Sequence, residues 1–173
     1  VLLSAYYIFL SKITGQEDLV VGTPVAGRNH PDLQGIMGMF INTLALRNYP
    51  VGNKAFIEFL QEVKKVTLMS FENQDYPFED LVEKVDVKRD TGRNPLFDVL
   101  FILQNMEIPE VSIPGLTLKP YEFKNRSSKF DMTLQIWERE GDLVVNWEYC
   151  TDLFKEETIG NFFGYFSNIL ASI

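Results

Sequence analysis

Few side chains in this 173-residue chain have the type and spacing for chemistry. It has one histidine, His30, and one cysteine, Cys150, so it cannot assemble an ordinary zinc site by itself. His30 lies in a loop of Gly, Asn and Pro. Nothing in the sequence places Cys150 or a serine beside it as a nucleophile with its base. The preferred reading is an exposed loop histidine. Two charged clusters remain. Asp75, Glu79 and Asp80 could be read as a pair of glycosidase carboxylates, but that chemistry needs one acid with a raised pKa facing another across a sugar-sized cleft. Acids flanking a helix start have a simpler role as caps and dipole partners, and that reading is favoured. The run "RDTGRNPLFD" at 89 to 98 sets Arg89, Asp90, Arg93 and Asn94 ahead of an apolar strand. Two arginines with two aspartates point to a charge-assisted network that anchors the loop. A phosphate site is the weaker alternative, because such sites usually add glycine-rich backbone amides.

A further polar residue sits where an apolar one would be expected. In "GMFINTLALRNYP", 38 to 50, Asn42 and Thr43 interrupt a hydrophobic strand soon after Gly38. Either Asn42 is a buried amide bonded to backbone, or it faces a cavity where something binds.

The elements that must position these residues follow from periodicity. "VLLSAYYIFLSKITGQ" carries Leu2, Leu3, Tyr6, Phe9, Leu10 and Ile13 at helical spacing, with Gly15 as the stop. It starts without a methionine, a cap or a lead-in, so the expectation is a chain cut from something longer. A buried strand is expected over 18–27, a loop with one helical turn over 28–38, and a strand over 39–48. Phe56, Phe59, Leu60, Val63 and Val66 mark a long helix that Tyr76-Pro77 breaks, because a residue before proline is pushed out of the α region. A short helix restarts over 78–85. Strands follow at 96–105, 116–123, 130–138 and 142–149, the last two joined by a hairpin turn at "REGD". A closing helix from Lys155 turns Ile159, Phe162, Phe163, Phe166 and Leu170 inward. The order predicts an α/β chain of α+β character: one mixed sheet with helices packed on it.

Composition narrows the function. With 46% hydrophobic residues and 14 Phe, the chain can build a sizeable core. The net charge of −8, with Lys and Arg dispersed, argues against nucleic-acid binding. There is no P-loop, no dinucleotide glycine fingerprint and no G-x-S-x-G elbow. No apolar stretch reaches the length of a membrane span, and the single cysteine fits a reducing cytoplasm.

In order and spacing, "MGMFINTLALR" (37–47), "NQDYPFE" (73–79) and "RDTGRNPLFDVLF" (89–101) resemble the last three core motifs of condensation domains of nonribosomal peptide synthetases. "TGQEDLVVGTPVAGR" (14–28), "KFDMTL" (129–134) and "YCTDLF" (149–154) match the family's flanking pattern, so the resemblance covers nearly the whole chain. It implies a V-shaped pair of lobes, each similar to chloramphenicol acetyltransferase. An amine on one peptidyl carrier protein attacks a thioester on another through a tunnel between the lobes. The catalytic histidine of the family belongs to an H-H-x-x-x-D-G motif of the N-terminal lobe, which this sequence lacks. The resemblance therefore implies that residues 1–173 are the C-terminal lobe alone, inactive without its partner lobe, with no catalytic residue of its own. No cofactor would be bound; donor and acceptor carriers would present phosphopantetheine arms. Thr23, Pro24, Gly38, Phe40 and Asn42 would line the tunnel. Asp75, Tyr76, Pro77, Phe78 and Glu79, with Arg89, Asp90, Arg93 and Asn94, would brace the lobe. Gly92 stands where the family usually has serine, and Asn73 replaces a frequent histidine. Epimerization domains carry different motifs in this half; heterocyclization, a non-catalytic carrier-docking module and a trimeric self-sufficient acyltransferase stay open as alternatives.

Overall fold

In the computed structural model the described residues are 1–85, 92–104, 113, 115–116, 127–139 and 141–173. Among these residues four helices and five strands follow in the order α1 (Leu2–Thr14), β1 (Leu19–Val25), β2 (Asn42–Asn48), α2 (Phe56–Glu72), α3 (Phe78–Lys84), β3 (Val99–Gln104), β4 (Met132–Arg139), β5 (Asp142–Tyr149) and α4 (Glu156–Ala171). A single 3-10 turn, Pro31–Leu33, interrupts the loop between β1 and β2.

The strands form one sheet in the order β2-β1-β3-β4-β5. The three inner strands run parallel and the two outer ones antiparallel. β3, apolar on both faces, is central, as a strand covered on both sides must be. Between β4 and β5 the expected hairpin forms. Arg139 pairs with Asp142, and Gly141 takes φ 89°, a backbone conformation that glycine adopts without steric cost.

Tyr6 and Phe9 of α1 anchor the main core, and both are fully buried. Tyr6 packs on Phe101, and the rings of Tyr6 and Phe9 meet Trp147 and Phe166 edge-on. Burying each ring contributes about 2–3 kcal/mol. More of α1 is covered than a single stripe predicts: Ser4, Ala5 and Tyr7 are buried too, because α1 is packed against α2 and α4 as well as β1. The Tyr7 hydroxyl donates to the Leu46 carbonyl at 2.6 Å, satisfying a phenol that burial would otherwise penalise.

Three expectations shift. The strand expected over 39–48 starts only at Asn42, because Asn42 pairs with Val25, the last residue of β1, and residues 39–41 have no partner beyond it. The strand expected over 96–105 starts at Val99. Ahead of it the Phe97 amide donates to the Pro95 carbonyl at 3.0 Å, closing a three-residue turn around Leu96 at φ 71°. Phe163 is 49% exposed, since the inward stripe of α4 runs through Ile159, Phe162 and Phe166 and leaves it on the flank. In the strand expected over 116–123, Leu116 forms an isolated antiparallel bridge with Ile113, and 117–123 lie outside the described residues.

Candidate functional site

Thr23 and Pro24 lie on β1, half-buried, opposite Leu44 and Thr43 of β2. Asn42 stands opposite Val25, where the β1–β2 ladder ends. Of the motif residues just before it, Gly38 is exposed and Phe40 half-buried. These five residues are therefore grouped around one end of the β1–β2 hairpin.

Asn42 is half-buried, and its amide is fully engaged. Its Nδ2 donates to the carbonyls of Gln74 at 2.7 Å and Tyr76 at 2.8 Å. Its Oδ1 accepts from its neighbour Thr43 at 2.9 Å and from the Phe78 amide at 3.3 Å. One side chain thus closes the turn between α2 and α3, satisfying backbone groups that helix ends leave over. These are the backbone bonds weighed for a polar residue at this strand position, made here in a half-buried setting.

The turn it holds carries Asp75, Tyr76 and Pro77. Asp75 accepts from Asn29 Nδ2 at 2.8 Å, which ties the turn to the β1–β2 loop. Lys84 sits 5.5 Å above the exposed Tyr76 ring. Pro77 is the N-cap of α3, and Glu79 with Asp80 occupies the first turn as the dipole argument expects. Phe78 turns inward to Phe97, with centroids 5.5 Å apart, and Phe97 stacks on Phe130 at 5.7 Å. Phe97 is buried against Gly22, where an added Cβ would fall 2.2 Å from its ring.

The third motif braces the start of β3. Arg93 grips Asp98 with two nitrogens, the shorter contact 2.6 Å, and lies 3.8 Å from Asp131. Asn94 donates to the Lys129 carbonyl at 2.9 Å. The backbone continues the link, since Asp131 N–H donates to Asp98 and Cys150 N–H donates to Asp131. Burial first, and then the charge of Asp98, pushes the Asp131 carboxyl up from its ordinary value, while Arg93 pulls it down. Arg89 and Asp90, assigned to the same network, lie outside the described residues.

Arg28 escaped the sequence reading. Its guanidinium donates to the carbonyls of Leu33, Ile36 (2.8 Å) and Gly38 (3.0 Å) and lies 4.4 Å from the Phe40 ring centroid. Beside it, Gly27 has φ 62°, and a Cβ there would fall 1.8 Å from the Phe40 carbonyl oxygen. His30 is exposed and caps the 3-10 turn, its Nδ1 accepting from Asp32 N–H at 3.3 Å. Among the described residues no His, Cys, Asp and Glu gather in a group able to hold a metal, and no helix is long and apolar enough to cross a membrane. A cavity of about 630 Å³ lies between α1, α2 and α4, lined by Ile8, Lys12, Pro50, Phe59 and Ile169, and shares no residue with the motif cluster.

The family model described as condensation domain matches residues 1–173, and the chain belongs to that family. Bacitracin synthase 3 of Bacillus licheniformis is 49% identical over 172 residues, covering 99% of this chain and 3% of the relative, so the chain spans a small part of the curated protein it matches. The crystal structure of holo-AB3403, a four-domain nonribosomal peptide synthetase bound to AMP and glycine, superposes with a TM-score of 0.90. It is 26% identical, over 99% of this chain and 14% of that one. The condensation domain from the Monacolin K polyketide synthase MokA gives 0.85 at 21% identity, over 99% of this chain and 40% of that one. The mixed five-stranded sheet with four helices is thus the condensation-domain fold, the chloramphenicol acetyltransferase-like lobe expected.

Proposed function

We propose that residues 1–173 are the C-terminal lobe of a nonribosomal peptide synthetase condensation domain that joins carrier-bound aminoacyl or peptidyl thioesters. In that reaction the acceptor amine adds to the donor thioester carbonyl, the C–N bond forms, and the C–S bond breaks. The amine loses a proton and the departing phosphopantetheine thiolate takes one. The proton-handling histidine belongs to the N-terminal lobe. This lobe contributes one wall of the tunnel, with Thr23, Pro24, Gly38, Phe40 and Asn42 along it, and donor and acceptor peptidyl carrier proteins bring the arms from a shared cytoplasm. The motif residues from Asp75 to Glu79, with Arg89, Asp90, Arg93 and Asn94, hold that wall in shape.

The observation that carries the reading is the combination of a condensation-family match over residues 1–173 with a lone histidine that caps an exposed turn. Coverage of 40% of a solved condensation domain fits one lobe of two. The test is amide formation between aminoacyl- and peptidyl-loaded carriers, followed by mass spectrometry. Residues 1–173 alone are expected to yield no product, and the parent protein with both lobes to yield it. Asn42→Ala in the parent is expected to slow the reaction by about tenfold, through misplacement of the wall. Full activity from the lobe alone would overturn the proposal.

A further inference from the structure

We infer that Arg28 is a positioning residue that sets the shape of the passage wall, an inference that rests on the condensation reading above. Its acceptors lie five, eight and ten residues downstream, at Leu33, Ile36 and Gly38, and all are backbone carbonyls. A guanidinium presents five N–H groups in a rigid plane, so one side chain holds three peptide units of the same loop while its face rests on Phe40. Gly27 leaves the room for this, because any larger residue would strike the Phe40 carbonyl.

Met37, inside the segment that Arg28 closes, is 99% exposed, and Met39 at 89% and Ile41 at 65% follow directly after its last anchor at Gly38. Flexible thioethers on a held loop make an adaptable apolar wall, suited to a carrier-tethered chain whose side groups vary. Gly38 and Phe40, the loop members of the proposed lining, alternate with these methionines, and Arg28 holds the first by its carbonyl and the second by its ring. Arg28 needs no contact with the reacting atoms to do this. Its effect passes through the loop.

Two readouts on the parent protein separate the clamp from the reaction. In Arg28→Ala, hydrogen exchange at the Leu33, Gln34 and Ile36 amides is expected to quicken by about tenfold, with β1, β2 and α2 unchanged. In the same variant the apparent KM for the loaded carrier is expected to rise by about tenfold while kcat stays within about twofold, the mark of lost positioning rather than lost chemistry. Arg28→Lys is expected to behave like Arg28→Ala, since an ammonium cannot satisfy three divergent carbonyls; full rescue by lysine would reduce the role to charge and overturn the inference. Unchanged loop exchange in Arg28→Ala would overturn the clamp. Faster exchange with unaltered KM would overturn the link between loop and passage. No amide from the unsubstituted parent would instead sink the functional reading and its kinetic corollary, which the exchange data detect separately.

Discussion

Asn42 uses both amide protons and its carbonyl oxygen on main-chain partners, three of them in a turn more than thirty residues away. Asparagine is the one short side chain that can donate twice and accept at the same point. Asn42→Ala removes the side-chain bonds to two carbonyls and two amides and is expected to lower the stability of the domain by about 1–3 kcal/mol. Asn42→Asp should lower it further, because a carboxylate would then face the Gln74 and Tyr76 carbonyls that now accept. Urea denaturation of the three proteins tests the order; an aspartate variant as stable as the asparagine form would mean the two donor bonds contribute nothing. Neither this pairing nor that of Arg28 is visible in residue spacing. The acceptors are main-chain carbonyls, which every residue carries, so identity at those positions gives no hint of the bond. The motif letters drew attention to Asn42, and the third dimension was needed to say to what it is tied.

At the scale of elements, periodicity was a sound guide wherever a segment has one buried face. α1, α2 and α4 and the β4–β5 pair form as their apolar spacing implies. The starts of β2 and β3 were not legible, because a strand ends where its neighbour does and that neighbour is distant in sequence. The packing of α3 was hidden for the same reason. Its anchor, Phe78, reaches Phe97, which in turn lies between Phe78, Phe130 and the bare backbone of Gly22. Gly22→Ala is expected to destabilise by about 1–3 kcal/mol, since the buried ring that must yield is held by aromatic neighbours. Pairing it with Phe97→Leu should recover part of the loss, and thermal unfolding of the single and double variants reads the coupling. Strict additivity would contradict the contact.

For the molecule as a whole, the Arg93–Asp98–Asp131 group links the turn before β3 to the strand beside it and makes stability depend on pH. Asp131 has a folded value raised by burial and by Asp98. Between its ordinary value and that raised one the folded protein binds more protons than the unfolded chain, so this group's contribution falls as pH rises through that window. Asp131→Asn removes the penalty and keeps the backbone bonds to Asp98 and Cys150, which do not involve the side chain. The urea midpoint of this variant is expected to equal or exceed that of the unsubstituted protein at neutral pH, and to converge with it below the ordinary carboxylate range. A clear loss at neutral pH would show that the ion pair to Arg93 outweighs desolvation.

The sheet joins its two parts through a single register pair, Gly22 with Leu100, between β1 and β3. During synthesis the hairpin made of β1 and β2 leaves the ribosome first, while residues 49–98 must still emerge before β3 can reach it. For that interval the inner border of β1 offers bare amides and carbonyls to any extended chain nearby. The nascent protein is therefore most exposed to wrong partners before β3 arrives, and the seam between β1 and β3 decides when the exposure of β1 ends.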